Sequence, residues 1–456
     1  MAFLPITKEE MVQRGWDQAD FVLVTGDAYV DHPSFGAAII SRVLEDEGFR
    51  VAVLPQPDWR CDRDFMRFGR PRLAFLVTAG NIDSMVAHYT AAKRKRSDDA
   101  YSPGNRADRA CIVYSRKCKE LYPDTPVILG GLEASLRRFA HYDYWDDRVR
   151  PSILLEAKAD LLTFGMGENQ TRQIASKLGQ GLPVSSLRDI RGVCYAVKTQ
   201  DYQPGPAVEC PSFERVCSSK RDYAVSCRKQ QDEHDAVRGK TVIQRHGDQI
   251  VVQNPPMPPL TTQELDRVYA LPYERMYHPS YEKEGGVPGI QEVEFSITHN
   301  RGCFGACNFC SIAYHQGRAV TQPGIDSRGS KKADGEPQIQ GVYSRRRRTY
   351  RKFQKALLRK AENSRAVQRE KMSGPETVSS ASGGSQRIFG DPAKAEKVAE
   401  GQAGIYPIRH PVRLPNPGQR PGVFPGTGPA SCQRPAEGGA GALLGGGAGC
   451  HGKAAY

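Results

Sequence analysis

The stretch FVLVTGDAYVDHPSFGAAIISRVLEDEGFRVAVL, residues 21–54, decides the fold class. Its first five residues form a continuous apolar run, which is typical of a strand buried on both faces of a parallel sheet. Apolar residues then recur at helical spacing from Ala37 to Leu44, and Gly48 marks the end of that helix. A second apolar run follows at residues 49–54. The stretch therefore predicts one strand–helix–strand unit.

The same pattern recurs towards the C-terminus. Further apolar runs end in glycine or polar residues in RLAFLVTAGN (72–81), TPVILGG (125–131) and DLLTFGMGE (160–168). Repetition of strand, glycine turn and helix predicts a Rossmann-like, doubly wound α/β domain over residues 1–230, with ligands approaching the carboxyl ends of the strands. These turns carry no GxGxxG fingerprint, so we interpret Gly130–Gly131 and Gly165–Gly167 as tight turns rather than phosphate-binding loops.

The pattern changes after about residue 190. The cysteines of this part have no CxxC spacing, and we interpret them as ordinary thiols rather than metal ligands; they are Cys194, Cys210, Cys217 and Cys227. Apolar and polar residues alternate on both sides of His246–Asp248, which predicts a β-hairpin over residues 241–256. Proline- and glycine-rich segments follow. We therefore expect residues 231–290 to form a hairpin and linker region that joins two domains.

The chemistry of the chain is concentrated in VEFSITHNRGCFGACNFCSIAYHQGR, residues 293–318. Alternation over residues 293–298 predicts a strand. A polar turn then leads to Cys303, Cys307 and Cys310, which are spaced CxxxCxxC. Three thiolates on one loop can bind three irons of a 4Fe–4S cluster and leave the fourth iron free to coordinate a substrate or cofactor.

Zinc is the competing interpretation of these cysteines. His299 or His315 could complete a Cys₃His site. Structural zinc sites of this kind usually combine two CxxC knuckles a dozen or more residues apart, however, and the sequence has no second knuckle. The spacing therefore favours an iron–sulfur cluster.

The motif, with Phe309 before its last cysteine, resembles the cluster loop of the radical S-adenosylmethionine (SAM) superfamily. The longer stretches MAFLPITKEEM, GDAYVDHPSFG, VILGGLEASLRRFAHYDYW and ITHNRGCFGACNFCSIAYHQGR resemble the YgiQ-type radical SAM proteins more closely. This resemblance extends over residues 1 to about 326. It implies a leading Rossmann-like domain, followed by a radical SAM core that begins near residue 291.

By this resemblance, Cys303, Cys307 and Cys310 are the ligands of a 4Fe–4S cluster. The same three residues also bind the cofactor SAM through the cluster, because SAM coordinates the one iron that has no cysteine ligand. The implied reaction is reductive cleavage of SAM to a 5′-deoxyadenosyl radical, with an electron donor of flavodoxin or ferredoxin type. The resemblance implies no substrate and no catalytic residue. Polar residues near the cysteines could shape the SAM pocket or equally stabilise the loop; they are Arg301, Asn308, His315 and Arg318.

The leading domain is also similar to the cobalamin domains that accompany other radical SAM barrels. The DxHxxG motif that would supply a histidine to cobalt is absent there, because Asp31 and His32 are adjacent. We therefore do not predict cobalamin. At a strand-to-helix turn, we expect His32 to be a capping or surface residue.

Charge is distributed unevenly along the 456 residues. The net charge of +13 would suggest a nucleic-acid-binding protein. Residues 327–456, however, carry 23 Lys and Arg against 9 Asp and Glu, whereas residues 1–326 carry 41 against 42. We therefore do not expect nucleic acid as a partner. No apolar run reaches the roughly 18 residues of a membrane span, and the N-terminus does not resemble a signal peptide, so we expect a cytoplasmic protein without a membrane partner.

Residues 327–456 do not resemble a folding sequence, and the straightforward interpretation is a disordered basic tail. Back-translation suggests a specific origin. Codons for Ile339–Tyr350, shifted by one base, can encode FKGYIHDVGGP, which resembles the next motif of the YgiQ-type proteins. We hypothesise a single-base insertion near Ser327–Arg328, so that residues 327–456 derive from a frameshift. On this hypothesis, residues 291–326 are only the start of a truncated (β/α) partial barrel, and the chain is inactive.

Two functions from different classes follow. The first is a radical SAM enzyme with an unknown substrate. The alternative is a non-catalytic iron–sulfur or nucleic-acid-binding protein whose basic tail contacts phosphates.

Overall fold

The computed structural model describes residues 3–102, 106–294, 296, 298, 300–303 and 310–323. All of them belong to one compact unit. The expectations for residues 327–456, including the frameshift and the disordered tail, lie outside the described residues. The helices are α1 Lys8–Gln13, α2 Gly36–Asp46, α3 Ser84–His88, α4 Ala110–Leu121, α5 Gly131–Leu136, α6 Ile153–Ala157, α7 Glu168–Gly179, α8 Phe213–Ser218, α9 Lys220–Asp232, α10 Thr262–Tyr269 and α11 Ser311–Gln316.

Eleven strands occur in the described part of the chain. They are β1 Phe21–Thr25, β2 Val51–Pro55, β3 Ala74–Thr78, β4 Val127–Leu129, β5 His141–Asp143, β6 Arg148–Arg150, β7 Leu161–Thr163, β8 Val193–Lys198, β9 Ala207–Glu209, β10 Thr241–His246 and β11 Gln249–Gln253. Nine of them form one sheet in the order β2-β1-β3-β4-β7-β8-β11-β10-β9, and β5 pairs with β6 separately.

The sheet has a parallel half and a mostly antiparallel half. Strands β2, β1, β3, β4 and β7 are parallel to their neighbours in this half. Strands β8, β11 and β10 continue the sheet in antiparallel pairs, and β9 lies parallel to β10 at the far edge. The predicted α/β class is confirmed as a mixed α/β fold with a large, parallel-rich sheet, while the finer Rossmann-like assignment stays a prediction.

Strand β1 is apolar from Phe21 to Val24 because both of its faces are covered. Phe21 and Leu23 pack in one apolar cluster, to which α2, α7 and α10 contribute. Val22 and Val24 pack in the other, together with side chains of α4 and α6. Side chains alternate between the faces of a strand, so a strand covered on both sides needs apolar residues at every position.

The hairpin over residues 241–256 forms as predicted, with Gly247 at its turn. The prediction that this hairpin belongs to a separate linker region was wrong, however. Strand β11 pairs with β8, so the hairpin extends the sheet that the N-terminal residues begin. The hairpin strands supply Val242 and Val251 to the apolar cluster below that sheet. A boundary at residue 230 would therefore divide one sheet.

The predicted strand over residues 293–298 is not formed at its described positions. Val293 and Glu294 lie in a turn that follows a 3₁₀ helix, Pro288–Glu292, and Ser296 and Thr298 belong to no regular element. A strand requires a neighbour for its backbone groups, and none of the described strands pairs with this segment. Within the described residues, no helix is both long enough and apolar enough to span a bilayer.

Candidate functional site

The carboxyl ends of the parallel strands are followed by loops rich in glycine. Gly80 follows β3 at φ +111°, and Gly131 follows β4 at φ +82°. After β7, Gly165 and Gly167 have φ values of +91° and +95°. Positive φ is accessible to glycine at little cost, which agrees with the interpretation of these segments as tight turns.

A buried ion pair lies beside these loops. Arg106 Nη2 donates a hydrogen bond to Asp27 Oδ1 at 2.7 Å, and its Nε donates to Asp99 Oδ2 at 2.9 Å. The Arg106 side chain is fully buried. The backbone N–H of Asn81 donates to the other oxygen of Asp27 at 2.7 Å. Burial raises the pKa of Asp27 to about 6, although Arg106 acts in the opposite direction. The pair fixes the loop after β1 against the loop after β3.

The segment that carries the cysteine motif is attached to the same edge of the sheet. Arg301 Nη1 donates to Glu168 Oε1 at 2.6 Å, and Glu168 is the first residue of α7. Burial raises the pKa of the Glu168 carboxyl, while Arg301 lowers it. The backbone of Arg301 also exchanges two hydrogen bonds with Thr321, at 2.9 and 3.0 Å. The two ends of the motif segment are thereby held together.

Helix α11, which follows the last cysteine, packs against α5. His315 Nδ1 and Ser135 Oγ are hydrogen-bonded at 2.8 Å. Gln316 accepts a hydrogen bond from the backbone N–H of Gly302 at 3.2 Å. Burial, together with Arg138 and Arg301, lowers the pKa of His315 to about 4, so this imidazole is neutral near pH 7.

Arg138 is a buried cation behind α11. Its guanidinium lies 4.0 Å from the ring centre of Tyr314 and 4.7 Å from that of Phe164. Its Nε donates to Gln253 Oε1 at 2.5 Å. Tyr314 in turn donates its hydroxyl to Gln230. This stacked arrangement orders α11 on the sheet through cation–π contacts and hydrogen bonds.

Two of the three predicted cluster ligands are described. Cys303 is exposed, and Cys310 is half-buried directly before α11. Cys307 lies outside the described residues, as does Asn308. The described residues therefore bring Cys303 and Cys310 onto one anchored segment, and they contain no group of three or more His, Cys, Asp or Glu side chains arranged around a metal. The assignment of all three cysteines as cluster ligands stays a prediction.

The donor set fits an iron–sulfur cluster in its chemistry. Iron–sulfur clusters are bound through thiolates, which form more readily where a cysteine is not sealed in apolar surroundings. Cys303 is exposed and Cys310 is half-buried, so iron and sulfide can reach both. Cys194 differs from both, because burial raises its pKa to about 12, and burial raises the pKa of Cys118 further.

The remaining residues singled out in the sequence have structural contacts. Arg301 and His315 hold the motif segment, as described above, and Arg318 borders a cavity of about 340 Å³ that Cys310 and His234 also line. His32 is fully buried, so the surface alternative for it was wrong. Its Nδ1 accepts a hydrogen bond from the backbone N–H of Ser34 at 3.1 Å and so stabilises the turn before α2. The predicted capping role was also wrong, because the N-cap of α2 is Phe35 and no side chain caps that helix.

A larger cavity of about 540 Å³ opens at the carboxyl edge of the parallel strands. One wall is formed by α2 and the sheet beneath it. The opposite wall includes Thr298, Arg301 and Gln316 from the motif segment. The cysteine motif and this cavity therefore share one wall.

Sequence reasoning missed several residues that build this site. Glu168 stood in the quoted segment DLLTFGMGE but was assigned no role, and neither Asp27 nor Arg106 was considered. The available signal was an acidic residue directly after the carboxyl end of a predicted buried strand, at the edge where ligands bind in such sheets. The cationic partners lie 79 and 133 residues away in sequence, and no local pattern indicates them.

A sequence profile of the family described as "Radical SAM N-terminal" matches residues 3–296. The chain belongs to the Radical SAM N-terminal family. The match ends just before the cysteine motif, and it includes all nine strands of the main sheet.

Curated relatives of this family member reach beyond the profile. A UPF0313 protein of Clostridium botulinum (strain Okra / Type B1) is 54% identical over 335 residues, which is 72% of this chain and 51% of the relative. A UPF0313 protein of Clostridium perfringens (strain SM101 / Type A) is 54% identical over 329 residues, which is 71% of this chain and 50% of the relative. The chain spans about half the length of the curated relatives that it matches.

Among solved structures, the radical SAM methyltransferase TsrM from Kitasatospora setae, with cobalamin and a 4Fe–4S cluster bound, is 16% identical to this family member, with a TM-score of 0.34. The match covers 70% of this chain and 46% of TsrM. A second TsrM structure, with tryptophan substrate and a SAM analogue bound, gives a TM-score of 0.27 at 20% identity and covers 39% of this chain and 28% of TsrM.

Proposed function

We propose that this chain is built as a radical SAM enzyme that binds a 4Fe–4S cluster through Cys303, Cys307 and Cys310 and reductively cleaves SAM. One observation carries the proposal above the others. A CxxxCxxC motif stands seven residues after the matched family region, on a segment that Arg301 and His315 tie to the sheet of that region.

The three cysteines would hold the cluster, and the chain's other residues would hold the loop. When bound, such a cluster supplies one electron that cleaves SAM into methionine and a 5′-deoxyadenosyl radical. Arg301 orients the backbone that precedes Cys303 through its ion pair with Glu168. His315 orients the helix that follows Cys310 through Ser135. Their role is positioning, because the side chain of each is hydrogen-bonded to a protein partner.

The electron must come from outside the chain. A flavodoxin or ferredoxin-type donor would meet this need in the cytoplasm, where we propose that the protein works. The exposure of Cys303 supports an external electron donor, because a cluster must lie near the protein surface to receive an electron from another protein.

Anaerobic reconstitution with iron and sulfide, followed by electron paramagnetic resonance of the reduced protein, tests the proposal. We expect the spectrum of a reduced 4Fe–4S cluster that changes when SAM is added. We also expect 5′-deoxyadenosine to form from SAM under dithionite. Cys303→Ala should abolish the signal, and the matched variant Cys217→Ala, which removes another exposed thiol, should leave it unchanged.

The outcomes separate the parts of the proposal. A signal that survives in Cys303→Ala would contradict the ligand assignment. A cluster that forms but does not respond to SAM would contradict SAM cleavage by this chain. Such a result would agree instead with the frameshift hypothesis, on which residues 327 onward lack the strands that would complete the barrel. Resequencing of codons 320 to 335 tests the frameshift directly, and an intact reading frame there would refute it.

A nucleic-acid-binding protein is the second candidate, and the concentration of positive charge in residues 327–456 favours it. Binding through a basic tail would weaken steeply as salt is raised. It would also disappear when residues 327–456 are deleted. We expect neither result, because the family region and the cysteine motif lie outside that charged segment.

A further inference from the structure

The cavity of about 540 Å³ lies at a particular point of the sheet. The chain passes from β1 to β2 on one side and then returns to place β3 on the other side of β1. In open parallel sheets, such a reversal of strand order leaves a crevice outside the carboxyl ends of the strands, and ligands bind there. The cavity occupies this crevice, and its volume is in the usual range of small-molecule sites.

The inner walls of the cavity are apolar. The sheet contributes Leu23, Leu76 and Ile128, and α2 contributes Ala37 and Ile40. Ala37 and Ile40 are only partly buried, although they pack against the apolar core. An apolar molecule seated in this cavity would cover them and gain free energy from the area removed from water.

The cavity offers no uncompensated charge among its described lining residues. Arg301 is neutralised by Glu168 at 2.6 Å. His315 is hydrogen-bonded to Ser135. An ionic ligand would therefore lose its hydration without gaining a full opposite charge, which is costly. The amino end of α2 offers only a partial positive charge, and Asn81 already accepts from the backbone N–H of Gly36 there.

Uncharged amide side chains are present instead, in Asn81 and Gln316. Asn81 already accepts from Gly36 and donates to Ser34, and Gln316 already accepts from Gly302. Each amide has further hydrogen-bonding capacity beyond these contacts.

We propose that this cavity is a binding site for an uncharged small molecule with an apolar ring system, which directs its hydrogen-bonding groups towards Asn81 and Gln316. SAM does not meet this description, because it carries a sulfonium, an ammonium and a carboxylate. The site is therefore distinct from a SAM site. Because its walls belong mainly to the sheet and α2, binding does not depend on the cluster or on cleavage of SAM.

Two fluorescent probes that differ by one charged group test the proposal on the full-length chain. N-phenyl-1-naphthylamine is uncharged, and 8-anilinonaphthalene-1-sulfonate is the same ring system with a sulfonate. We expect saturable 1:1 binding of the uncharged probe, with a blue shift of its emission. The sulfonate probe should bind at least about tenfold more weakly. Absence of saturable binding, or tighter binding of the sulfonate, would overturn the proposal.

A matched pair of variants locates the probe. Ala37→Trp fills the cavity from α2 and should weaken binding by about tenfold or more. Ala224→Trp adds the same bulk at an exposed position of α9 and should leave the affinity within about twofold. Circular dichroism verifies folding, and Ile40→Trp replaces Ala37→Trp if the latter is unfolded. Equal affinity of the folded cavity variant and the Ala224→Trp control would show that the probe binds elsewhere and would overturn the proposal.

Discussion

Arg301 and Glu168 form an ion pair at 2.6 Å between residues 133 positions apart. Glu168 is fully buried, and the Arg301 side chain is 12% exposed. The pair connects the segment before Cys303 to the first turn of α7. Removing one partner would leave the other as an isolated charge in the interior, which is far more costly than removing both.

We expect Glu168→Gln to lower the free energy of unfolding by about 3–5 kcal/mol. The double variant Glu168→Gln/Arg301→Met should recover most of that loss, because no isolated charge then remains. Urea unfolding at neutral pH of these two variants and of the single variant Arg301→Met measures the losses. Arg228→Met is the control, since it breaks the exposed pair with Asp232 and should cost less than about 1 kcal/mol. A double variant as unstable as the sum of the single variants would show that the pair is not coupled.

Asp27 should give the protein a distinctive pH dependence. Its pKa is about 6 in the folded protein because of burial, against an ordinary value of 3.8. The folded state therefore binds more protons than the unfolded state between these values, and this stabilisation is lost as pH rises from about 4 to 6. The loss is on the order of 3 kcal/mol at most.

Urea unfolding of the wild type and Asp27→Asn at a series of pH values measures this contribution. The amide of the variant does not titrate, so the wild type should lose stability relative to the variant between about pH 4 and 6, and the difference should level off above that range. Arg106 and Asp99 face the same position in both proteins. A constant difference across the range would contradict the raised pKa.

Gly80 should tolerate no side chain. It has φ +111°, and a Cβ there would overlap the carboxylate of Asp27. Gly80→Ala therefore combines backbone strain with displacement of Asp27 from Arg106, and we expect a loss of about 3 kcal/mol. Gly48→Ala is the matched control, because Gly48 has φ +86° but open space around its Cβ position. It should cost only about 1 kcal/mol. Thermal unfolding compares the two, and equal losses would refute the steric argument.

The cysteines should differ in their reactivity with iodoacetamide. Before reconstitution, we expect Cys303 and Cys217 to be labelled readily because both are exposed, and Cys118 to be protected in the folded protein because it is buried. After reconstitution with iron and sulfide, Cys303 should become protected while Cys217 stays reactive. Mass spectrometry of tryptic peptides measures each site. Continued labelling of Cys303 in protein that contains a cluster would contradict its role as a ligand.

The parts of the fold that follow local rules were predictable. Strand β1 was predicted at Phe21–Thr25 because a run of successive apolar residues requires burial on both faces. The hairpin was predicted from alternation and its glycine turn, but its membership of the main sheet was not, because pairing between β11 and β8 depends on residues far apart in sequence. The prediction of a strand at 293–298 was wrong because apolar and polar residues alternate there, but no described strand pairs with the segment.

The candidate site divides in the same way. Cys303, Cys307 and Cys310 were singled out because their spacing is local, and their role as ligands stays a prediction. Glu168 was not, because its role depends on Arg301 approaching from a distant part of the chain. For the cavity, the sequence predicted only that ligands approach the carboxyl edge of the sheet. Its walls could not be predicted, because they combine side chains from α2, the strands and the motif segment. Such arrangements are visible only once the chain has folded.

The order of the strands along the chain has a consequence for biosynthesis. The last strand of the sheet ends at Gln253, and Cys303 is added 50 residues later. At a synthesis rate of about 5–20 residues per second, the sheet has on the order of several seconds to fold before the first motif cysteine is made. The partners that receive Arg301 and His315 are all translated earlier. Each newly made chain can therefore present a finished docking surface to Arg301 and His315 before either residue has been added.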